Sequence, residues 1–373
     1  MASRPPEKVR VESEAGSFDK FNSIEIVNDI TGPTQCGFEI GDDRTYASIE
    51  TAVRHGKRFK VYLNDNLRCT GRVYVNELPG SASSGSMLNI VVRDILADAV
   101  FASADPKVRT DKTSIADFLV ELWRPLNVKR SDFVFRASAE RDLMTGVGAR
   151  GAKAPADLEP IKADQAKINP PETIKECTDR HLRRHGLMLW STPSGLLFVG
   201  APDDLQRPLY KFISKRWPNG ASNNITDFKA VRDWTDVPSE LRVFGGQGGK
   251  DILKASVKSF NAWLDVIDAG FWRPVYLPNE ALTTQAQIDR AGRREFANRS
   301  KRKEAWSITT DNWTGWNGSY AVPYANNTTA DIDVDVTGGP NGRFYCHRVS
   351  LRGDAQSARS TTLEFVAQGI LEL

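Results

Sequence analysis

Val27-Asn28-Asp29-Ile30-Thr31-Gly32-Pro33-Thr34-Gln35 returns later in the chain, with one inserted residue, as Val231-Arg232-Asp233-Trp234-Thr235-Asp236-Val237-Pro238-Ser239-Glu240. Both copies lie at the joint between two predicted strands, and the second strand ends at a glycine in each, Gly41 and Gly245. Around the first copy, Ile24 and Ile26 alternate with polar residues, and Phe38 and Ile40 continue the alternation. A period of two puts each set on one face of a strand. A stretch repeated at equivalent joints predicts one β-domain present twice, with other material between the copies.

The flanking sequence fits that frame. Phe59, Val61 and Leu63 alternate, Asp65-Asn66 offers a tight turn, and Arg72–Val75 and Leu88–Val92 continue as strands. Short strands at such spacing predict a small barrel or sandwich over residues 1–97. After Asp94 the pattern changes. Ser114 can cap a helix whose stripe is Ile115, Phe118, Leu119 and Leu122, ended by Pro125. A second helix is predicted from Asn169-Pro170 to Gly186, and a hairpin from Leu187–Trp190 and Leu196–Val199. Residues 98–207 therefore read as an α+β unit. Strands at 226–244 are expected to join those near 328–336, 343–351 and 360–371. That makes 208–373 a second β-barrel domain, with an inserted helical segment at about 264–327. The expected fold class is α+β, mainly β, with two related β-barrel domains and α+β material packed outside them.

The 373 residues suffice for several such units, and 40% hydrophobic with 26% charged residues excludes a chain dominated by disorder. A formal charge of +3 leaves nucleic-acid binding to a local patch at most. There is no run of about 18 apolar residues, so no membrane insertion is expected. The first residues lack the apolar core of a signal peptide. Cys36, Cys69, Cys177 and Cys346 form no CxxC pair and read as reduced, half-buried residues of a protein made in a reducing compartment.

Motifs that could carry chemistry fail at chemically necessary positions. Gly146-Val147-Gly148-Ala149-Arg150-Gly151 matches GxGxxG but lacks the strand before and the helix after it that would seat a pyrophosphate. Phe244–Asp251 imitates a phosphate loop, yet Phe stands for its first glycine and Asp251 for its hydroxyl, so a hairpin connection is expected. Cys177, His181 and His185 share a helical spacing usable by zinc. Ile174 and Leu182 occupy much of that face, Arg183-Arg184 would repel a cation, and the glutamate of HExxH is missing. Asp331, Asp333 and Asp335 line one strand face but lack the glycine and glutamate of a calcium loop. Arg352-Gly353-Asp354 falls where a hairpin turn is expected. No catalytic, cofactor-binding or metal-binding residue is assigned, and no enzyme is expected. The densest charge is Arg290, Arg293, Arg294, Arg299, Lys301, Arg302 and Lys303 against Glu295, on a predicted helix at 283–303. It reads as a solvated or partner-binding face. A nucleic-acid-binding β-barrel using residues 290–303 is the main alternative, and a metal-dependent hydrolase using the Cys177–His185 face a weaker one.

Phe21–Pro33, Val92–Ala104, Ala230–Trp234, Gly342–Tyr345 and the ending Gly369–Leu373 together resemble the Mu-type baseplate hub proteins of contractile phage tails, relatives of type VI secretion spike hubs. The resemblance runs over nearly the whole chain. It implies a structural virion protein of the tail baseplate, assembled in the host cytoplasm as a homotrimeric ring. That ring would adapt a six-fold tail tube to a three-fold spike, with DNA passing unbound through its channel. Implied partners are a separate spike protein, the tail tube or a tube-initiator protein, and baseplate wedge proteins.

Overall fold

The computed structural model describes residues 8–14, 16–41, 50, 53, 57–78, 80–81, 85–108, 114–135, 168–169, 171–183, 187–200, 202, 206–216, 223–233, 235–247, 251–257, 273–278, 285–300, 305–316, 321–336, 339–354 and 359–367. The fold is α+β and mainly β. Its first part holds β1 (Val9–Ser13), β2 (Gly16–Phe18), β3 (Ser23–Asp29), β4 (Gln35–Ile40), β5 (Arg58–Leu63), β6 (Asn66–Glu77), the short pair β7 (Gly80–Ser81) and β8 (Gly85–Ser86), and β9 (Leu88–Arg93). Alternation decides the buried face: Ile24, Ile26 and Asn28 point inward from β3, and Cys36, Phe38 and Ile40 from β4. The β5–β6 turn is Asn64-Asp65, both with positive φ (49° and 63°), one residue earlier than the Asp65-Asn66 expected. Asn66 is already paired with Leu63, and two residues with positive φ are what a tight hairpin needs.

The middle part holds α1 (Ile95–Phe101), α2 (Ile115–Trp123), β10 (Phe133–Phe135), α3 (Ile174–Arg183), β11 (Met188–Ser191) and β12 (Leu197–Gly200). Ser114 caps α2 by accepting from the Asp117 amide at 3.1 Å. The second helix begins later than Asn169-Pro170. Thr173 accepts from the Glu176 amide at 3.2 Å, and the Glu176 carboxylate accepts from the Thr173 amide at 2.8 Å. That reciprocal capping box sets its start. The hairpin of β11 and β12 is present, and β10 adds to it in parallel. These elements enclose a core of their own, built around Phe118, Leu119, Trp123, Ile174 and Leu182.

The last part holds β13 (Tyr210–Ser214), β14 (Asp227–Val231), β15 (Glu240–Gln247), β16 (Asp251–Val257), β17 (Pro274–Pro278), α4 (Gln285–Ser300), β18 (Ala305–Thr310), β19 (Thr314–Trp316), β20 (Ala321–Pro323), β21 (Thr328–Val334), β22 (Asn341–Asp354) and β23 (Ser360–Ala367). β14 joins the large sheet as expected, but β15 does not. The place beside β14 is taken by β18, and β15 instead forms a separate three-stranded sheet with β16 and β17. α4 packs on that sheet, with Ile288 and Phe296 buried.

Thirteen strands make one continuous sheet, in the order β14-β18-β23-β22-β3-β4-β9-β6-β5-β1-β2, with β21 and β13 attached through β22. Among the described residues the sheet does not close into a barrel. Its main core draws on both ends of the chain, from Phe59 and Val92 to Phe344 and Phe365. The buried Arg68 guanidinium stitches them by donating to the Tyr324 carbonyl at 2.6 Å.

Candidate assembly interface

The large sheet contains one strand order twice. In chain sequence the first set is β1, β3, β4, β5, β6, β9, and in the sheet it runs β1-β5-β6-β9-β4-β3. The second set, β13, β14, β18, β21, β22, β23, runs β13-β21-β22-β23-β18-β14. Taken in order, the two series correspond strand for strand. Four of the five pairings are antiparallel in both sets; β1 meets β5 antiparallel, whereas β13 meets β21 parallel. Each set also has a bulge at the same place, skipping Tyr74 between β6 and β9 and His347 between β22 and β23. The sequence repeat marks equivalent points: Asp29 accepts from the Thr31 amide at 2.8 Å, and Asp233 from the Thr235 amide at 2.9 Å. β15–β17 and α4 lie between the second and third strands of the second set.

The two sets join where β3 lies antiparallel to the outer half of β22, from Arg348↔Asp29 to Asp354↔Ser23. Across this joint Arg352 donates to Glu25 at 2.7 Å and Ser350 to Glu25 at 3.3 Å. A groove runs over the face opposite the core, lined by Ser23, Glu25, Glu39, Asn89, Arg352 and Asp354. Its charges are mixed in sign.

Arg352-Gly353-Asp354 is therefore part of strand β22, not a turn. A side chain at Gly353 would collide with the Trp313 ring at 2.3 Å, and that indole donates to the Arg352 carbonyl at 2.8 Å. The glycine serves packing. Cys177 and His181 are buried in the middle core, where His181 meets Phe118 edge-on at a centroid distance of 4.5 Å. Burial pushes the Cys177 thiol up to about 12. His185 and Gly146–Gly151 lie outside the described residues. Phe244–Gln247 and Asp251 belong to the antiparallel pair β15–β16. Asp331 and Asp333 each meet a cation, Arg343 at 3.0 Å and Lys215 at 2.5 Å. On α4, Arg293 is exposed and Arg299 binds Glu295 at 2.8 Å. No described helix is long and apolar enough to cross a membrane.

One residue that the sequence reading passed over ties the first strand set to the middle unit. Buried Asp94 caps α1 by accepting from the Leu96 amide at 3.0 Å, and also accepts from the Thr34 amide at 2.8 Å and from the Ser191 hydroxyl. Its signal was an Asp directly before an apolar helical run. Burial raises its pKa to about 6, against the lowering effect of these hydrogen bonds. Between about pH 4 and pH 6 the folded chain thus holds a proton that the unfolded chain has released. Stability should fall as pH rises through that window, by about 3 kcal/mol for a shift of this size. Asp94→Asn should remove that part of the pH dependence, measured as urea midpoints at pH 4.5 and pH 7.

No family model and no curated protein matches the sequence. Among solved structures, the tail protein from Neisseria meningitidis superposes with a TM-score of 0.74 at 17% identity, covering 98% of both chains. The 43 kDa tail protein of prophage MuSo2 from Shewanella oneidensis gives 0.73 at 16% identity, over 98% of this chain and 100% of that one. An E. coli type VI secretion component, described as similar in structure to bacteriophage T4 tail proteins, gives 0.51 at 8% identity over 97% and 77%. The chain has the fold of phage tail proteins along nearly its whole length. More narrowly, it shares the fold of Mu-like prophage tail proteins.

Proposed function

We propose that the chain is the structural hub of a contractile phage tail baseplate. Three copies form a ring around a central channel and adapt a six-fold tube to a three-fold spike. The observation that carries this reading is the doubled strand order, because three chains with two similar units each present six similar units around one axis. Closed cyclic rings are the ordinary form of such assemblies. The two strand sets are read as related barrel domains, within 1–97 and 208–373, and 98–207 as the α+β domain outside them. The groove face of β3, β4, β9 and β22 is read as the channel wall. With Glu25, Glu39 and Asp354 around Arg352, it gives DNA no continuous positive track, so DNA slides through unbound. Spike, tube and wedge proteins dock outside that wall, and the role is structural, with no reaction catalysed.

The expected result is a mass that rises with concentration from 41.4 kDa to three times that value, with particle images showing three-fold symmetry down the axis. Stable dimers at every concentration would sink this reading.

A further inference from the structure

Three arginines stand side by side on the first strand set. Arg58 on β5 is directly opposite Arg72 on β6, and Arg72 is directly opposite Arg93 on β9. Their chain neighbours Phe59 and Val92 are buried in the core, so the row lies on the other face of the sheet. Directly opposed residues of antiparallel strands have Cα atoms about 4.5–5.5 Å apart, and like charges so placed destabilise a sheet. Arg93 is held: it donates to the Gln35 side chain at 3.2 Å, and its guanidinium lies 5.7 Å from the centre of the Tyr74 ring. Arg58 and Arg72 are exposed, and neither guanidinium forms an ion pair or a hydrogen bond among the described residues. Both line a cleft of about 140 Å³ between this sheet and the middle unit. The carboxylates of that cleft are engaged by other donors. Asp98 accepts from the Tyr74 hydroxyl, Asp132 from the Lys129 amide at 2.8 Å, and Asp94 from the three groups named above. None of them bridges to an arginine. Half-buried Ile95, Leu126 and Leu196 give the cleft an apolar wall.

The geometry points to a docking site for an acidic segment of a partner protein, one of whose carboxylate side chains enters the cleft and is bound by Arg58 and Arg72. The inference goes beyond the hub reading and does not depend on ring formation. Size favours a single side chain, since a cavity of about 150 Å³ holds one benzene molecule. Guanidinium groups bind carboxylates through paired, charge-assisted hydrogen bonds, and Ile95, Leu126 and Leu196 suit the methylene stem of a glutamate. A nucleic-acid strand fits less well. It brings a charge at every link, which Asp98 and Asp132 repel, and no aliphatic stem to lie on the apolar wall. A bound carboxylate also relieves the repulsion between Arg58 and Arg72, so binding and stability are linked.

The test uses the full-length protein with three fluorescent probes: an oligoglutamate peptide, an oligolysine peptide of equal length and a short single-stranded DNA. Anisotropy at low salt should show oligoglutamate binding and oligolysine not. Arg58→Gln and Arg72→Gln should each weaken that binding about tenfold, the size of one lost hydrogen bond to a charged group. Lys229→Gln, at an exposed cation on β14, should leave it unchanged. Without any probe, Arg72→Gln should raise the melting temperature at low salt by roughly 1–4 °C, because it ends the repulsion along the row. High salt should erase that gain. An Arg72→Gln protein that melts below the parent would make the row a structural feature and overturn the inference. So would oligoglutamate that fails to bind or ignores both substitutions, and so would DNA that binds more tightly than oligoglutamate and is released by them.

Discussion

Phe365→Ala should lower the stability of the large sheet by about 3–5 kcal/mol, the range for removing a fully buried aromatic ring from a packed core. Phe365 is inaccessible to solvent and sits on β23, flanked by Trp306 on β18 and Cys346 on β22. Its ring meets Phe212 of β13 edge-on at 5.7 Å, and Phe212 in turn stacks on Tyr324 at 5.7 Å. A single side chain thus holds strands from the centre and the far edge of the second set. Removing it opens a cavity lined by rings that cannot collapse together without moving β13. Phe365→Leu should cost only about 1–2 kcal/mol, since most of the volume remains. Equilibrium urea unfolding followed by tryptophan fluorescence checks both values, with Trp306 as a nearby reporter. Equal, small losses for the two variants would mean that this core is not packed as described.

The chain's alternating runs made most of the strands of the first set legible, because burial on one face forces a period of two. Ser114 announced α2, and the hairpin of β11 and β12 was legible from two apolar runs around Thr192–Gly195. What remained hidden was the pairing of distant segments. A repeat of nine or ten residues marked the doubling, yet the six-strand order behind it leaves no side-chain pattern, because equivalent strands need only similar burial. Ile26 and Ala230 occupy equivalent places, yet Ile26 is buried and Ala230 exposed. β15 was misplaced for the same reason: its alternation fits any sheet, and only the insertion before β18 sends it elsewhere. Asp94 could be read as a helix cap, but its bonds to Thr34 and Ser191 join segments far apart in sequence.

Gly71→Ala should be the most damaging of the small substitutions, at roughly 3 kcal/mol or more, the upper end of what overpacking costs. A β-carbon there would lie 2.2 Å from the Arg93 carbonyl oxygen and 3.0 Å from a methyl of Val92. The first obstacle is backbone, so no side-chain rotation relieves it. The chain must instead pull β6 away from β9 where Arg72 faces Arg93, two residues before the bulge at Tyr74. That is also where β6 leaves its pairing with β5 and its outer half begins. Loss of register here would displace Val73–Glu77 from β9. Gly37→Ala is the control, because nothing lies within 4 Å of a β-carbon at that position of β4. It should leave both the unfolding midpoint and the concentration dependence of the mass unchanged. If Gly71→Ala behaves like Gly37→Ala in thermal unfolding, the close approach of β6 to β9 is wrong.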